Sequence, residues 1–359
     1  MINVTKTFLP PLEEYHKRLQ GAWESGWITN EGPLVLELEE ALRQYLGVRH
    51  VILVSNGTLA LQLAVRALAV QGEVITTPFS YVATTSSLVW EHCQPVFVDI
   101  DPQTLCLNPA LIEAAITPAT QAIVATHVFG TPCDTEGIER VARRHNLRVI
   151  YDAAHSFGVR YRGSSVLQYG DVSTLSFHAT KLFHTGEGGA LVTNDDDLAR
   201  RLAYLRNFGH QDAHSFAGLG INAKNSEIHA ALGLCVLPYV PRLIARRRSL
   251  AELYDQLLAP AKLQRPQLPV GTEMVHSYYP VLFESEASLL RVRKALNQAE
   301  IFPRRYFYPC LTTLPYVLPA HCPVAADAAS RVLCLPLYYE LAEADVARIA
   351  TIVLAAIGS

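Results

Sequence analysis

Seven short runs of apolar, mostly β-branched residues mark the first two thirds of the chain, at residues 51–54, 74–77, 95–99, 122–126, 148–152, 172–176 and 189–193. Between them, apolar positions recur at three- and four-residue steps, the period of a helix with one buried face. The runs lack the alternation of strands with one wet side; strands covered on both faces by helices read this way. The pattern predicts an α/β fold whose large domain carries a mostly parallel sheet of about seven strands. Two helices precede the first strand. Leu12, Tyr15, Leu19 and Trp23 are expected to face inward on one, and Leu34, Leu38, Leu42 and Tyr45 on the other. Pro33 opens the second and Gly47 stops it. The Pro238-Tyr239-Val240-Pro241 segment reads as a boundary. Residues 1–240 are therefore expected to form an N-terminal segment plus the large domain, and 241–359 a smaller α+β domain. The latter reads as a long helix, a strand at 278–283, a helix at 287–298, aromatic strands around Tyr306 and Leu335, and a last helix at 343–357.

Composition narrows the class. At 359 residues the chain exceeds what one core usually serves, which favours two domains. Half the residues are hydrophobic and 18% charged, which excludes wholesale disorder. A net charge of −3 with scattered Lys and Arg gives no electrostatic reason to expect nucleic acid or membrane as the main partner. The longest apolar run, at 349–357, is too short to cross a bilayer, and no signal peptide is visible behind Met1; a cytoplasmic protein is expected. None of the seven cysteines is spaced C-x-x-C, which fits reduced core thiols.

In such sheets, ligands bind beyond the carboxyl ends of the strands. After the first run comes Ser55-Asn56-Gly57-Thr58, then an apolar helix. A glycine that permits close approach, a hydroxyl and a helix start with free amides suit a phosphate; an ordinary helix cap is the plain alternative. The fifth run ends in Asp152, a carboxylate that needs a cation or strong hydrogen bonds if buried. A protonated pyridine nitrogen or a structural ion pair would serve. The sixth leads to Ser176-Phe177-His178-Ala179-Thr180-Lys181, then Gly186-Glu187-Gly188-Gly189. A lone lysine there is usually solvated. In this order, however, the three signals describe a pyridoxal phosphate site: a phosphate cradle, an anion for the ring nitrogen and an amine for the aldehyde. His178, His184, His210 and His214 complete no recognisable metal-ligand set, so no metal is expected.

These motifs resemble the DegT/StrS-type nucleotide-sugar aminotransferases, which have the fold-type-I architecture of pyridoxal phosphate enzymes. The resemblance also rests on Gly32-Pro33, Pro78 to Thr84, Asp152-Ala153-Ala154-His155, Arg206-Asn207-Phe208-Gly209, Gly220 to Lys224 and Cys334 to Tyr338. It implies that Lys181 holds the cofactor covalently, that Asp152 pairs with its ring nitrogen, and that His155 lies near its phenolic oxygen. It further implies that Gly57, Thr58 and Ser176 hold the phosphate, that Tyr81 stacks on the ring, and that Asn222 reaches the phosphate of a neighbouring subunit. The working unit would then be a homodimer with shared sites. Candidate substrate residues are Asn30, His184, Lys224, Arg305, Tyr306 and Tyr308. The lysine at 181 separates the chain from sugar dehydratases of similar sequence, which carry histidine there. By the same resemblance, glutamate donates the amine, and the acceptor is a nucleotide-linked keto sugar, C4 of dTDP-4-keto-6-deoxyglucose being the first expectation and C3 of a dTDP-3-keto-6-deoxyhexose the alternative. A regulator or binding module without catalysis is the more remote alternative.

Overall fold

The computed structural model describes residues 1–261 and 263–358, and the seven apolar runs are the seven strands of its main sheet. They are β1 (His50–Val54), β2 (Glu73–Thr76), β3 (Gln94–Phe97), β4 (Thr120–Thr126), β5 (Arg148–Asp152), β6 (Val172–Ser176) and β7 (Gly189–Thr193). Their order across the sheet is β1-β7-β6-β5-β4-β2-β3. Only β7 runs against the others, antiparallel to both β1 and β6. The mostly parallel α/β architecture expected from the sequence is borne out. Because β7 is reversed, its first residue, Gly189, lies at the sheet edge where β1 and β6 end.

Helices α1 (Leu12–Ser25), α2 (Pro33–Leu46), α3 (Gly57–Ala67), α4 (Val82–Trp90), α5 (Thr135–His145), α6 (Asp196–Arg206) and α7 (Glu227–Val236) surround the sheet. Strand β1 explains the continuous apolar runs. Val51 and Leu53 pack with Val35, Leu38 and Leu42 of α2. Ile52 and Val54 join the opposite core with Ala60, Leu63 and Leu202. Each such side chain contributes about 1.5–3 kcal/mol by leaving water.

Buried Glu227, the first residue of α7, caps α2: its carboxylate accepts from the amides of Leu34 at 2.7 Å and Val35 at 2.9 Å. Gly32 is needed there because a Cβ would lie 2.6 Å from the carboxyl carbon. Arg206 pairs with Glu31 at 3.0 Å and with Glu39, and donates to the Leu53 carbonyl at 2.9 Å. The Arg206 motif thus fastens the loop before α2 to the end of β1.

The α1 stripe departs from expectation. Leu12 is 71% and Trp23 68% exposed, Tyr15 and Leu19 are only half-buried, and Ala22 alone is buried. The helix rests on α7, where the Tyr15 hydroxyl donates to the Ile228 carbonyl at 3.1 Å, but among the described residues nothing covers Leu12 and Trp23.

Beyond α7, one 3-10 turn at Leu237–Tyr239 leads straight into α8 (Val240–Leu258), with no extended linker. Strands β8 (Tyr279–Leu282) and β9 (Val332–Leu335) pair antiparallel. With α8, α9 (Glu286–Gln298) and α11 (Glu343–Ile357) they enclose a separate core that includes Leu250, Tyr254, Val292, Leu333 and Ile349. Helix α10 (Pro323–Arg331) precedes β9. No strand forms around Tyr306; the chain bends there, and Arg304 makes an isolated bridge with Cys334. Ile2–Asn3 pairs parallel with Ile301–Phe302, and Ile2 joins the C-terminal core. We propose the division at residue 240 with these first residues crossing it. By length and composition, the helical run Glu227–Ala261 could cross a membrane, a longer apolar stretch than the one at 349–357; half of its most apolar window is buried inside the fold. Each cysteine is buried and none forms a disulfide.

Candidate active site

A cavity of about 290 Å³ opens at the carboxyl ends of β1, β5 and β6, with Tyr278, Arg304 and Tyr306 contributed from the C-terminal half. Of the residues singled out from the sequence, Gly57, Thr58, Tyr81, Asp152, His155, Ser176, Lys181 and Tyr306 all line it. The topology brings them together: Ser176 and Asp152 close neighbouring strands, β6 and β5, which lie two and three positions from β1, whose following helix begins at Gly57.

The start of α3 is built for close approach. The Asn56 side chain accepts from the Leu59 amide at 2.8 Å, and the Asn56 carbonyl from the Ala60 amide at 3.2 Å. The amides of Gly57 and Thr58 keep no partner among the described residues and border the cavity. A Cβ on Gly57 would stand 2.9 Å from Cβ of Ser176. A Cβ on Gly189 would stand 2.6 Å from the backbone of Asn56. Two free amides, two hydroxyls and a helix N-terminus fit a phosphate group.

Asp152 is buried. Its Oδ2 accepts from Oγ1 of Thr84 at 2.7 Å and its Oδ1 from the Ala154 amide at 3.1 Å. Burial raises its pKa, against the hydrogen bonds from Thr84 and Ala154 and the charge of Lys181. No described cation touches it, so a desolvated carboxylate faces the cavity with only the more distant charge of Lys181 to offset it. A protonated ring nitrogen supplies a close counter-ion. His155 is buried and held neutral, its pKa well below the usual value through desolvation and then the Lys181 charge. Its ring stacks on Phe307 at 5.3 Å, and its Nδ1 has no hydrogen-bond partner. Burial also lowers the Lys181 pKa, with Asp152 opposing it. An amine of lowered pKa, an unmatched carboxylate and an unpartnered imidazole nitrogen around one cavity fit pyridoxal phosphate as a group.

Other expected substrate residues lie elsewhere. His184 is buried, donating from Nε2 to the Phe8 carbonyl at 2.7 Å and accepting at Nδ1 from the Gly186 amide. Its ring nitrogens are spent on backbone, so it does not reach the cavity. Arg305 turns outward onto Glu286 at 2.7 Å and the Ser330 carbonyl at 2.9 Å, and Tyr308 stacks over its guanidinium at 3.5 Å. Arg304 lines the cavity instead, with no carboxylate partner among the described residues. Adjacent positions project to opposite sides of extended backbone, and the sequence shows no sign of which arginine points inward. Asn30, Asn222 and Lys224 lie outside this chain's cavity. Asn30 is exposed in a left-handed conformation, and Lys224 Nζ donates to Asn222 Oδ1 at 2.8 Å. Sequence reasoning missed Thr84 and Tyr278. Thr84 sits in a quoted motif four residues after Ser80, the spacing of one helical turn; Tyr278 gave no signal. No group of three or more metal-ligating side chains occurs among the described residues.

A sheet-end cavity with this charge pattern defines an enzyme that handles an anionic, ring-bearing cofactor. The chain belongs to the DegT/DnrJ/EryC1/StrS aminotransferase family, whose model matches residues 12–354. It is 46% identical over 347 residues to a dTDP-4-amino-4,6-dideoxy-D-glucose transaminase of Shigella dysenteriae, covering 95% of each chain. It is 39% identical to a protein of the same name from Escherichia coli, covering 98% of each. The crystal structure of DesI in the presence of its TDP-sugar product superposes with a TM-score of 0.94 at 36% identity, covering 99% of this chain and 93% of DesI. The chain is an aminotransferase of pyridoxal phosphate type.

Proposed function

We propose that this enzyme moves an amino group from glutamate to C4 of dTDP-4-keto-6-deoxyglucose. The observation that carries the reading is the convergence of Lys181, Asp152 and the open start of α3 on one cavity. The names of the two relatives and the DesI title support the dTDP sugar and the C4 position.

When bound, the cofactor would supply an electron sink that lets the donor's α-proton leave, and would carry the donor's amino group until the keto sugar takes it. Gly57, Thr58 and Ser176 hold its phosphate. Asp152 keeps its ring nitrogen protonated. Tyr81, exposed at the rim of the cavity, would stack on the ring. Lys181 would hold the cofactor covalently at rest, and its amine, when free and neutral, would take the donor's α-proton at Nζ and give it back. The lowered pKa of Lys181 favours that neutral form. Arg304, a fixed cation in the cavity wall, receives the donor's carboxylate or the sugar's diphosphate.

We further propose that a second copy completes the site. Leu12, Trp23, Trp27 and Ile28 are exposed on and after α1, and Phe216 and Leu219 on the hairpin before Asn222. A like surface from another copy would cover them and bring Asn222 and Lys224 to the other chain's cavity. Mixing inactive Lys181→Ala and Asn222→Ala chains should then restore some activity; none, with subunit exchange demonstrated, would reject a shared site.

The decisive experiment incubates the enzyme with glutamate and nucleotide-linked 3-keto and 4-keto sugars, with the product identified by mass and NMR. A dTDP-4-amino-4,6-dideoxyhexose is expected. A C3-aminated product would replace the substrate assignment, and no amination of any sugar would overturn the reading.

A further inference from the structure

We propose that Tyr278 is a positioning residue for Lys181: its buried hydroxyl accepts a hydrogen bond from Nζ and keeps the free amine aimed into the cavity. The inference rests on the reading of Lys181 as the reacting amine.

The hydroxyl lies 3.4 Å from Nζ and has no other hydrogen-bond partner among the described residues. That is a long contact, of the kind that tightens when a ligand fills the site. Packing alone does not require a phenol here. The ring sits edge-on to His155 at 4.9 Å, Phe129 at 6.1 Å and Tyr306 at 5.4 Å, contacts a phenylalanine would make equally well. A buried hydroxyl is costly unless satisfied, and Nζ is what satisfies it.

The backbone that presents this ring is itself clamped. Arg247 of α8 is buried and donates from Nη1 to the carbonyls of Ser277 at 3.0 Å and His276 at 3.4 Å. Burial pushes its pKa down to about 10, so its charge is spent on these carbonyls at some cost. Ser277 Oγ donates to the His155 carbonyl at 2.8 Å. His276 holds a left-handed φ of 53°, a conformation that persists in a non-glycine residue when its surroundings enforce it. One strut therefore runs from α8 through residues 276–278 to the loop after β5 and ends at the lysine.

The charged neighbours settle the direction of the effect. Nζ faces Asp152, Tyr81 and Tyr306. The phenol faces Arg247, Arg304 and Cys334. His155, neutral, lies against both. Burial raises the phenol's pKa, so it stays a neutral acceptor across the working range. An acceptor stabilises the protonated lysine, so removing it lowers the lysine's pKa further.

The test is Tyr278→Phe, which keeps the ring. In the holoenzyme, the low-pH limb of the glutamate half-reaction should move down by about 0.4–1 pH unit, and kcat should fall roughly 2–10-fold with KM for glutamate within about twofold. In the cofactor-free full chain, the pH midpoint for acetylation of Lys181 by acetic anhydride, followed by peptide mass spectrometry, should fall by the same interval. Unchanged midpoints in a variant that melts like the wild type overturn the proposal. Lys181→Ala separates the two levels: if it is inactive while Tyr278→Phe is unshifted, only this inference falls; if it is fully active, the reading of Lys181 falls with it.

Discussion

Replacing Asp152 by asparagine should separate folding from catalysis. The carboxylate accepts two hydrogen bonds, from Thr84 at 2.7 Å and from the Ala154 amide at 3.1 Å. Asparagine can keep the second through Oδ1 and turn its amide toward Thr84. The threonine hydroxyl can reverse because Ser80 Oγ lies 2.7 Å away, and Ser80 in turn reaches Thr126 at 3.0 Å. The hydrogen bonds therefore survive, and their rearrangement costs less than about 1 kcal/mol. The charge acts the other way. Burial raises the folded-state pKa of Asp152 above its unfolded value, so the ionised group opposes folding of the cofactor-free protein. That opposition is absent below the unfolded pKa and complete above the folded one. Cofactor-free Asp152→Asn should thus match or exceed the wild type in melting temperature, with the difference growing as pH rises through that window. Catalysis should collapse, because a ring nitrogen without its anion is a poor electron sink. Removing one partner of a buried charge pair costs about 3–5 kcal/mol, roughly a hundred- to several-thousand-fold in the half-reaction. Melting curves at acidic and neutral pH, with single-turnover kinetics on fully loaded enzyme, measure both. Wild-type half-reaction rates would refute the role of Asp152; a stability loss that grows with pH would refute the electrostatics.

Other substitutions probe the remaining walls. Gly57→Ala forces a methyl to within 2.9 Å of Ser176, and the cofactor should dissociate about ten- to a hundredfold faster, read by the loss of visible absorbance on dilution. Glu227→Gln leaves one of two buried amides of α2 facing a donor; chemical denaturation should show a loss of about 1–2 kcal/mol with little change in KM. Arg304→Lys should raise KM for glutamate or the nucleotide sugar about tenfold or more, whereas Arg305→Lys should leave both unchanged, and equal effects would reject the assignment of Arg304 to the cavity.

Much of this was legible in the chain. Both faces of the sheet are covered by helices, so strands such as β1 read as continuous apolar runs rather than as alternating ones. The cofactor residues sit at strand ends, where turn residues and chemistry coincide: Gly57 after β1, Asp152 closing β5, Ser176 closing β6. The illegible parts depend on contacts remote in sequence. Arg304 and Arg305 are adjacent, and only Glu286 and the carbonyl of Ser330 decide which turns away. His184 stood in a motif rich in chemistry, yet the carbonyl of Phe8 claims it. Tyr278 joins the site through Arg247, thirty-one residues earlier on another helix. The α1 stripe was legible as apolar, but not the exposure of Leu12 and Trp23 at its ends, since periodicity reports a face and not what covers it.

The most direct measurement reduces the purified, cofactor-loaded enzyme with borohydride, digests it and maps the modified peptide by mass spectrometry. The phosphopyridoxyl group should be found on the Nζ of Lys181, and Asp152→Asn should retain it there with an altered spectrum. A label on any other lysine, or none in a protein that aminates sugars, would contradict the account.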